Sequence, residues 1–252
     1  MLIKQKPIIG LFIVAFILSL IITMPMKQLY QWGVFPDTVI LKGINGRALK
    51  GSVRHIIIEG EAVNNVAWSV NALSLLMGKL SFDWTVNDEQ IKGRGNSAIT
   101  LLGTLSVNDV KLTINSERFT LFLPQGNQLA GMIGLDVDTA TFNEQLNELN
   151  ATLELENIII TSPVGAFNLD ASQLNVTGTV TDGFEATLTE IDNEENFTVF
   201  ATVKDTDVTL SGQAHKEARL TKELISIFPL IAKEQGEQWI ISWQGVLPFL
   251  KY

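Results

Sequence analysis

His55 and His215 are the only imidazoles in 252 residues, and there is no cysteine. Nucleophilic catalysis would need one of them, or an Asp, Glu, Lys or Tyr, as the base that activates a hydroxyl. Each histidine stands in a strand-like context without a partner at metal-ligand spacing. The serines lie in no Gly-x-Ser-x-Gly elbow, and no phosphate loop is present. Gly93-Arg-Gly95, ahead of Asn96 and Ser97, reads as a tight turn. The acidic cluster Glu190, Asp192, Glu194 and Glu195 has the charge of a calcium loop but not its ligand spacing or central glycine. It reads as a solvated hairpin tip. Asn150, Asn175 and Asn196 begin tripeptides of the glycosylation pattern, which means nothing if the host is bacterial. The expectation is a protein that is not an enzyme, with no catalytic, cofactor-binding or metal-binding residue and no cofactor.

The element that should position everything else is the amino-terminal run. Pro7 to Met26 are twenty residues without a charge, and only Ser19 and Thr23 are polar. As a helix this run would span about 30 Å, the hydrocarbon thickness of a bilayer. A cleaved signal peptide would have a shorter apolar region and small residues before its cleavage site. The run instead ends Leu20-Ile-Ile-Thr-Met-Pro25-Met-Lys27. Lys4 and Lys6 favour a cytoplasmic amino terminus. The expected layout is a cytoplasmic tail over 1–6, a transmembrane helix over 7–26, a membrane-proximal segment over 27–40 and a periplasmic body over 41–252. Tyr30, Trp32 and Phe35 in that proximal segment suit either a membrane–water boundary or the first layer of the body.

Beyond Lys4 and Lys6, 16 Lys and Arg face 27 Asp and Glu, a net charge near −11. Such a surface repels phosphate backbones and argues against nucleic acid as a partner. The absence of cysteine removes disulfides and thiolate chemistry and suits a bacterial envelope protein.

From residue 41 onward the pattern is mainly β. Leu80, Phe82, Trp84 and Val86 alternate with polar residues, as do Val110, Leu112 and Ile114, and Phe119, Leu121 and Leu123. Leu153 and Leu155 lead into Ile158–Ile160. Later rows are Leu174, Val176, Gly178 and Val180; Phe184, Ala186 and Leu188; Phe197, Val199, Ala201 and Val203; and Val208, Leu210, Gly212 and Ala214. One apolar and one polar face is the pattern of antiparallel sheet. The expected fold is a curled, mostly antiparallel β-sheet, an open groove or partial barrel, with one to three short helices and two similar halves near 41–133 and 150–250. Helical segments are expected after Asn71 as cap with Gly78 as stop, over Thr141–Leu149, and from Thr221 to about Gln235, where Pro229 ends or kinks the helix. Trp239–Trp243 should be a last strand, with a turn at Gln244-Gly245.

These features carry a resemblance. The amino-terminal anchor, Gly46-Arg-Ala-Leu-Lys-Gly51, the Trp68 segment with Leu75-Leu-Met-Gly78-Lys-Leu80, Gly131-Met-Ile-Gly134-Leu-Asp136 and Gly245-Val-Leu-Pro248 resemble protein N of the bacterial type II secretion system (the general secretory pathway). Where that family usually has a tryptophan in the first glycine bracket, Leu49 stands here. The resemblance implies an inner-membrane, single-pass accessory component of the machinery that exports folded proteins, with other type II secretion components as partners and no catalytic residue to carry over. The domain is also similar to AsmA/TamB-like envelope proteins, which implies the alternative of a β-groove that binds or conveys phospholipid.

Overall fold

The structure, a computed structural model, describes residues 23–33, 35–58, 60–122, 126–162, 165–169, 171–191, 196–204, 206–226 and 228–246. Residues 7–22 of the expected membrane span lie outside the described residues. Among the described residues no helix is long and apolar enough to cross a membrane. The chain is mainly β and divides into two compact units. One runs through Glu89 and includes Asn96–Leu101; the other comprises Gln90–Gly95 and the chain from Leu102 onward.

The first unit holds α1 (Met26–Gln31), β1 (Val39–Lys42), β2 (Asn45–Arg47), β3 (Lys50–Ile58), β4 (Glu61–Asn71), α2 (Ala72–Leu76), β5 (Lys79–Asn87) and the later part of β6 (Ile91–Thr100). β1 and β2 both pair with β3, which is followed by β4 and β5, antiparallel throughout. The alternation of β5 decides its faces: Val86 is buried and Phe82 and Trp84 half-buried, while Asp83, Thr85 and Asn87 are exposed. Leu80 and Ser81 break the rule: Leu80 is exposed, and Ser81 is buried, with its N–H donating to Ser74 Oγ on α2 at 3.1 Å. As expected, Asn71 caps α2, accepting the Leu73 N–H at 3.0 Å, and the chain leaves through Gly78 at φ +70°. Tyr30 and Phe35 pack ring against ring, and Trp32 is exposed.

The second unit holds the first part of β6, β7 (Leu105–Asn115), a 3-10 helix (Ser116–Phe122), β8 (Gln128–Asn143), β9 (Gln145–Ser162), β10 (Gly165–Asn168), β11 (Ser172–Thr179), β12 (Gly183–Glu190), β13 (Phe197–Lys204), β14 (Asp207–His215), α3 (Arg219–Glu223), α4 (Phe228–Ile231), β15 (Ala232–Gln235) and β16 (Gln238–Val246). The order is β7-β8-β9-β11-β12-β13-β14-β16-β15, with β10 against the end of β9. All these pairings are antiparallel, and the ladder does not close on itself among the described residues. The apolar rows read from the sequence meet as cross-strand neighbours: Val176 faces Ala186, which faces Ala201, then Leu210 and Trp243. At the Phe197 end of β13 the helices close over the sheet. Phe197, Ala214, Ala218, Leu220, Phe228 and Ile241 form a buried cluster, and the Phe228 ring stacks on Trp239 at 5.7 Å.

Four sequence expectations are corrected. Thr141–Leu149 is the β8–β9 hairpin, not a helix: Phe142 faces Leu146 across the ladder, and Glu144 turns the chain at φ +67°. A spacing of four brings side chains together across a tight hairpin as well as along a helix. Phe119 and Leu121 belong to the 3-10 helix, which starts because Asn115 Oδ1 accepts the Glu117 N–H at 2.9 Å. Thr221–Gln235 contains two short helices, with Pro229 as the second residue of α4, and residues 232–235 extend as β15. Gly245 stays in β16 because the Trp243 indole occupies the space a side chain there would need.

Candidate functional site

The β2–β3 hairpin is built on two glycines. Gly46 has φ +90°, and a Cβ on it would come within 2.6 Å of the Gly51 Cα. A Cβ on Gly51 would come within 2.6 Å of both the Asn45 carbonyl oxygen and the Trp68 ring. Trp68 can therefore lie across the hairpin, and its Nε1 donates to the Ala48 carbonyl at 3.0 Å. The Leu49 carbonyl accepts the Val70 N–H, which ties the hairpin tip to β4. Register continues the row from Trp68 to Trp84, whose Nε1 donates to Ser97 Oγ at 2.9 Å.

Residues directly opposite in an antiparallel ladder share a face, and their chain neighbours point to the other. Ser52, Ala67 and Thr85 form one row on the face opposite the indoles, and Lys50, Ser69 and Asp83 form the next. The small side chains at 52, 67 and 69 border an open, mostly apolar trough of about 410 Å³, whose lining also takes in Gly46, Gly51, Trp68 and Trp84. Its charged margins are Lys50 and Asp83, the latter held by Asn96 Nδ2 at 2.9 Å. By the alternation of β3, His55 points to the face opposite the Ser52 and Ser69 hydroxyls. The trough offers shape, hydrogen-bonding groups and one charge of each sign, as a docking surface does.

The residues singled out in the sequence are dispersed. His55 Nδ1 lies 2.6 Å from Asn64 Oδ1, and Asn64 donates its backbone N–H and its Nδ2 to buried Asp88. The Asn64 and Asp88 parts of this network were not foreseen, because neither lies near His55 in sequence. His215 accepts the Glu217 N–H through Nδ1. Gly93 and Gly95 are inside β6, not in a turn, and a side chain at Gly93 would strike the Lys111 carbonyl. Asp192, Glu194 and Glu195 lie outside the described residues. Glu190 is buried rather than solvated, and its Oε1 accepts the Leu220 N–H at 2.6 Å, at the start of α3. Asn150 donates to Asp138, and Asn175 accepts from Thr152 and Gln173.

A second hollow, about 390 Å³, lies in the second unit beside Trp239, Ile225, Lys216, Lys222 and Glu234. Its charges are paired across the surface: the hydrogen bond that Lys216 donates to the Glu234 carboxylate raises the Lys216 pKa, and one from Lys222 holds Glu217 below its ordinary value. No group of three or more His, Cys, Asp or Glu that could hold a metal occurs among the described residues.

The model of the family described as type II secretion system (T2SS), protein N matches residues 37–241. The chain belongs to that family. Comparison with curated proteins and with solved structures found no match. Family membership associates the chain with the type II secretion apparatus of the envelope. In this protein N member the Gly46–Gly51 bracket and the Trp68 segment are one construction, a glycine hairpin that seats an indole. What the sequence did not disclose was the register that lines up Ser52, Ala67 and Thr85 on the reverse face.

Proposed function

We propose that the chain is a non-enzymatic accessory component of the type II secretion machinery. In this reading residues 7–26 hold it in the inner membrane with residues 1–6 in the cytoplasm, and the body over 41–252 works in the periplasm by docking another secretion component along the β3–β5 trough. The observation that carries the reading is the family match over residues 37–241. The small side chains between Lys50 and Asp83 support the docking part, since an extended segment of the partner fits a shallow, mostly apolar trough with a charge at each margin. The test is affinity purification of the tagged chain from detergent-solubilised envelopes. Other secretion components should co-purify, and Ala67→Trp, which fills the trough, should release them. A chain that purifies alone overturns the reading.

A second reading, lipid binding, is favoured by the half-buried row Val176, Ala186, Ala201, Leu210 and Trp243 on one face of the second unit. Native mass spectrometry of the purified chain separates the two: retained phospholipid supports conveyance, and a lipid-free chain counts against it.

A further inference from the structure

One end of the first unit is unlike the rest of its surface. β3 starts there, β4 ends there, β5 starts there and β6 ends there, so α2 and Leu101 crown that end. The Leu101 N–H donates to the Gly78 carbonyl at 3.2 Å, which places Leu101 beside the α2–β5 turn. Leu73 is 73 % exposed, Met77 82 % and Leu101 88 %, three large apolar side chains on one tip. Isolated exposed apolar residues need no explanation, whereas a contiguous group does.

Two observations say what covers it. The chain enters the described structure at the same end: Pro25 bridges to Arg47, and the Ala48 N–H donates to the Met24 carbonyl at 3.0 Å. The twenty-residue apolar run therefore joins the body beside this tip. Charge agrees. The segments 23–32, 45–51, 69–81 and 98–101 contain Lys27, Arg47, Lys50 and Lys79 and no carboxylate, in a chain of net charge −9. Cations beside an apolar group match anionic headgroups beside acyl chains.

We infer that this tip is a second membrane contact: Leu73, Met77 and Leu101 enter the bilayer interface, and Lys27, Arg47, Lys50 and Lys79 meet anionic lipid headgroups. The first unit then stands upright on the membrane, with β5 carrying its far end, at Asn87, roughly 23 Å away from Leu80. The inference rests on the membrane-anchor reading above and adds a site to it.

The chain has no cysteine, so single-cysteine labelling is clean. The full-length protein, with Met77→Cys, Leu101→Cys or Asn87→Cys carrying a polarity-sensitive nitrobenzoxadiazole dye, is reconstituted in vesicles of phosphatidylethanolamine and phosphatidylglycerol. Dyes at 77 and 101 should show blue-shifted emission and lose it to doxyl-labelled lipid, and the dye at 87 should do neither. Replacing the phosphatidylglycerol with phosphatidylcholine should weaken the quenching at 77 and 101. A blue shift without lipid quenching means that protein, a second copy included, covers the tip, and it overturns the inference. So does equal water exposure at all three positions in a chain that resists carbonate extraction. A chain that carbonate strips from the vesicles overturns the anchor reading, and this contact with it.

Discussion

Gly51→Ala tests the construction on which the candidate site is built. The new Cβ would sit 2.6 Å from the Asn45 carbonyl oxygen, which is backbone and can move only if β2 moves. It would also sit 2.6 Å from the Trp68 ring, which can leave only by giving up its 3.0 Å bond to the Ala48 carbonyl. Overpacking of this kind costs about 1–3 kcal/mol. The lost hydrogen bond adds about 1 kcal/mol, so the hairpin should open more easily by about 2–4 kcal/mol. Hydrogen exchange reads this locally: the Ala48 and Val70 amides, bonded to the Met24 and Leu49 carbonyls, report the hairpin. Their exchange should quicken about 30-fold to about 700-fold, at 1.4 kcal/mol per factor of ten. In a Trp68→Phe background the indole half of the clash is gone, and the same glycine substitution should cost distinctly less, a coupling that a double-mutant cycle isolates. Unchanged exchange in Gly51→Ala, or equal penalties in both backgrounds, refutes the seating of Trp68 on Gly51.

Other consequences are smaller in scope. Phe228→Ala removes a ring packed against Phe197 and Trp239 and should destabilise the second unit by about 3–5 kcal/mol in urea unfolding, with the loss confined to amides of that unit. Glu190→Ala leaves the buried Leu220 N–H without its acceptor and should cost about 1–3 kcal/mol, whereas Glu190→Gln keeps an acceptor oxygen and should cost less. Asn71→Ala removes the cap of α2 and should cost about 1 kcal/mol, seen as faster exchange of the Leu73 amide. The Lys222 hydrogen bond lowers the Glu217 pKa from 4.5, so its contribution is complete above pH 4.5 and is lost as pH falls through the lowered value. Carboxyl NMR titration of Lys222→Met should show Glu217 returning toward 4.5.

Period-two alternation made the strands legible wherever one face is wet, which is why the rows from Leu174 to Ala214 could be read directly and proved to be cross-strand neighbours. Local chemistry made α2 legible too, because an asparagine cap and a glycine stop act within a few residues. The errors arose where distant partners decide. Glu190 lies thirty residues from Leu220, yet it satisfies the start of α3, so the acidic cluster could not be read as anything but solvated. Thr221, where the pattern starts a helical segment, is a buried residue inside α3. Gly245 looked like a turn and is a seat for Trp243. The trough was hidden for a similar reason: Ser52, Ala67 and Thr85 are unremarkable in sequence and meet only through the register of β3, β4 and β5.

The most direct test of a docking role is a photo-crosslinking amino acid placed in living cells at Thr85, exposed at the trough, and at Thr209, exposed on β14 as a control. A covalent adduct is expected between position 85 and another type II secretion component, absent from position 209 and lost in Ala67→Trp. Adducts that form equally at both positions, or none at 85 while the apparatus is assembled and secreting, contradict it.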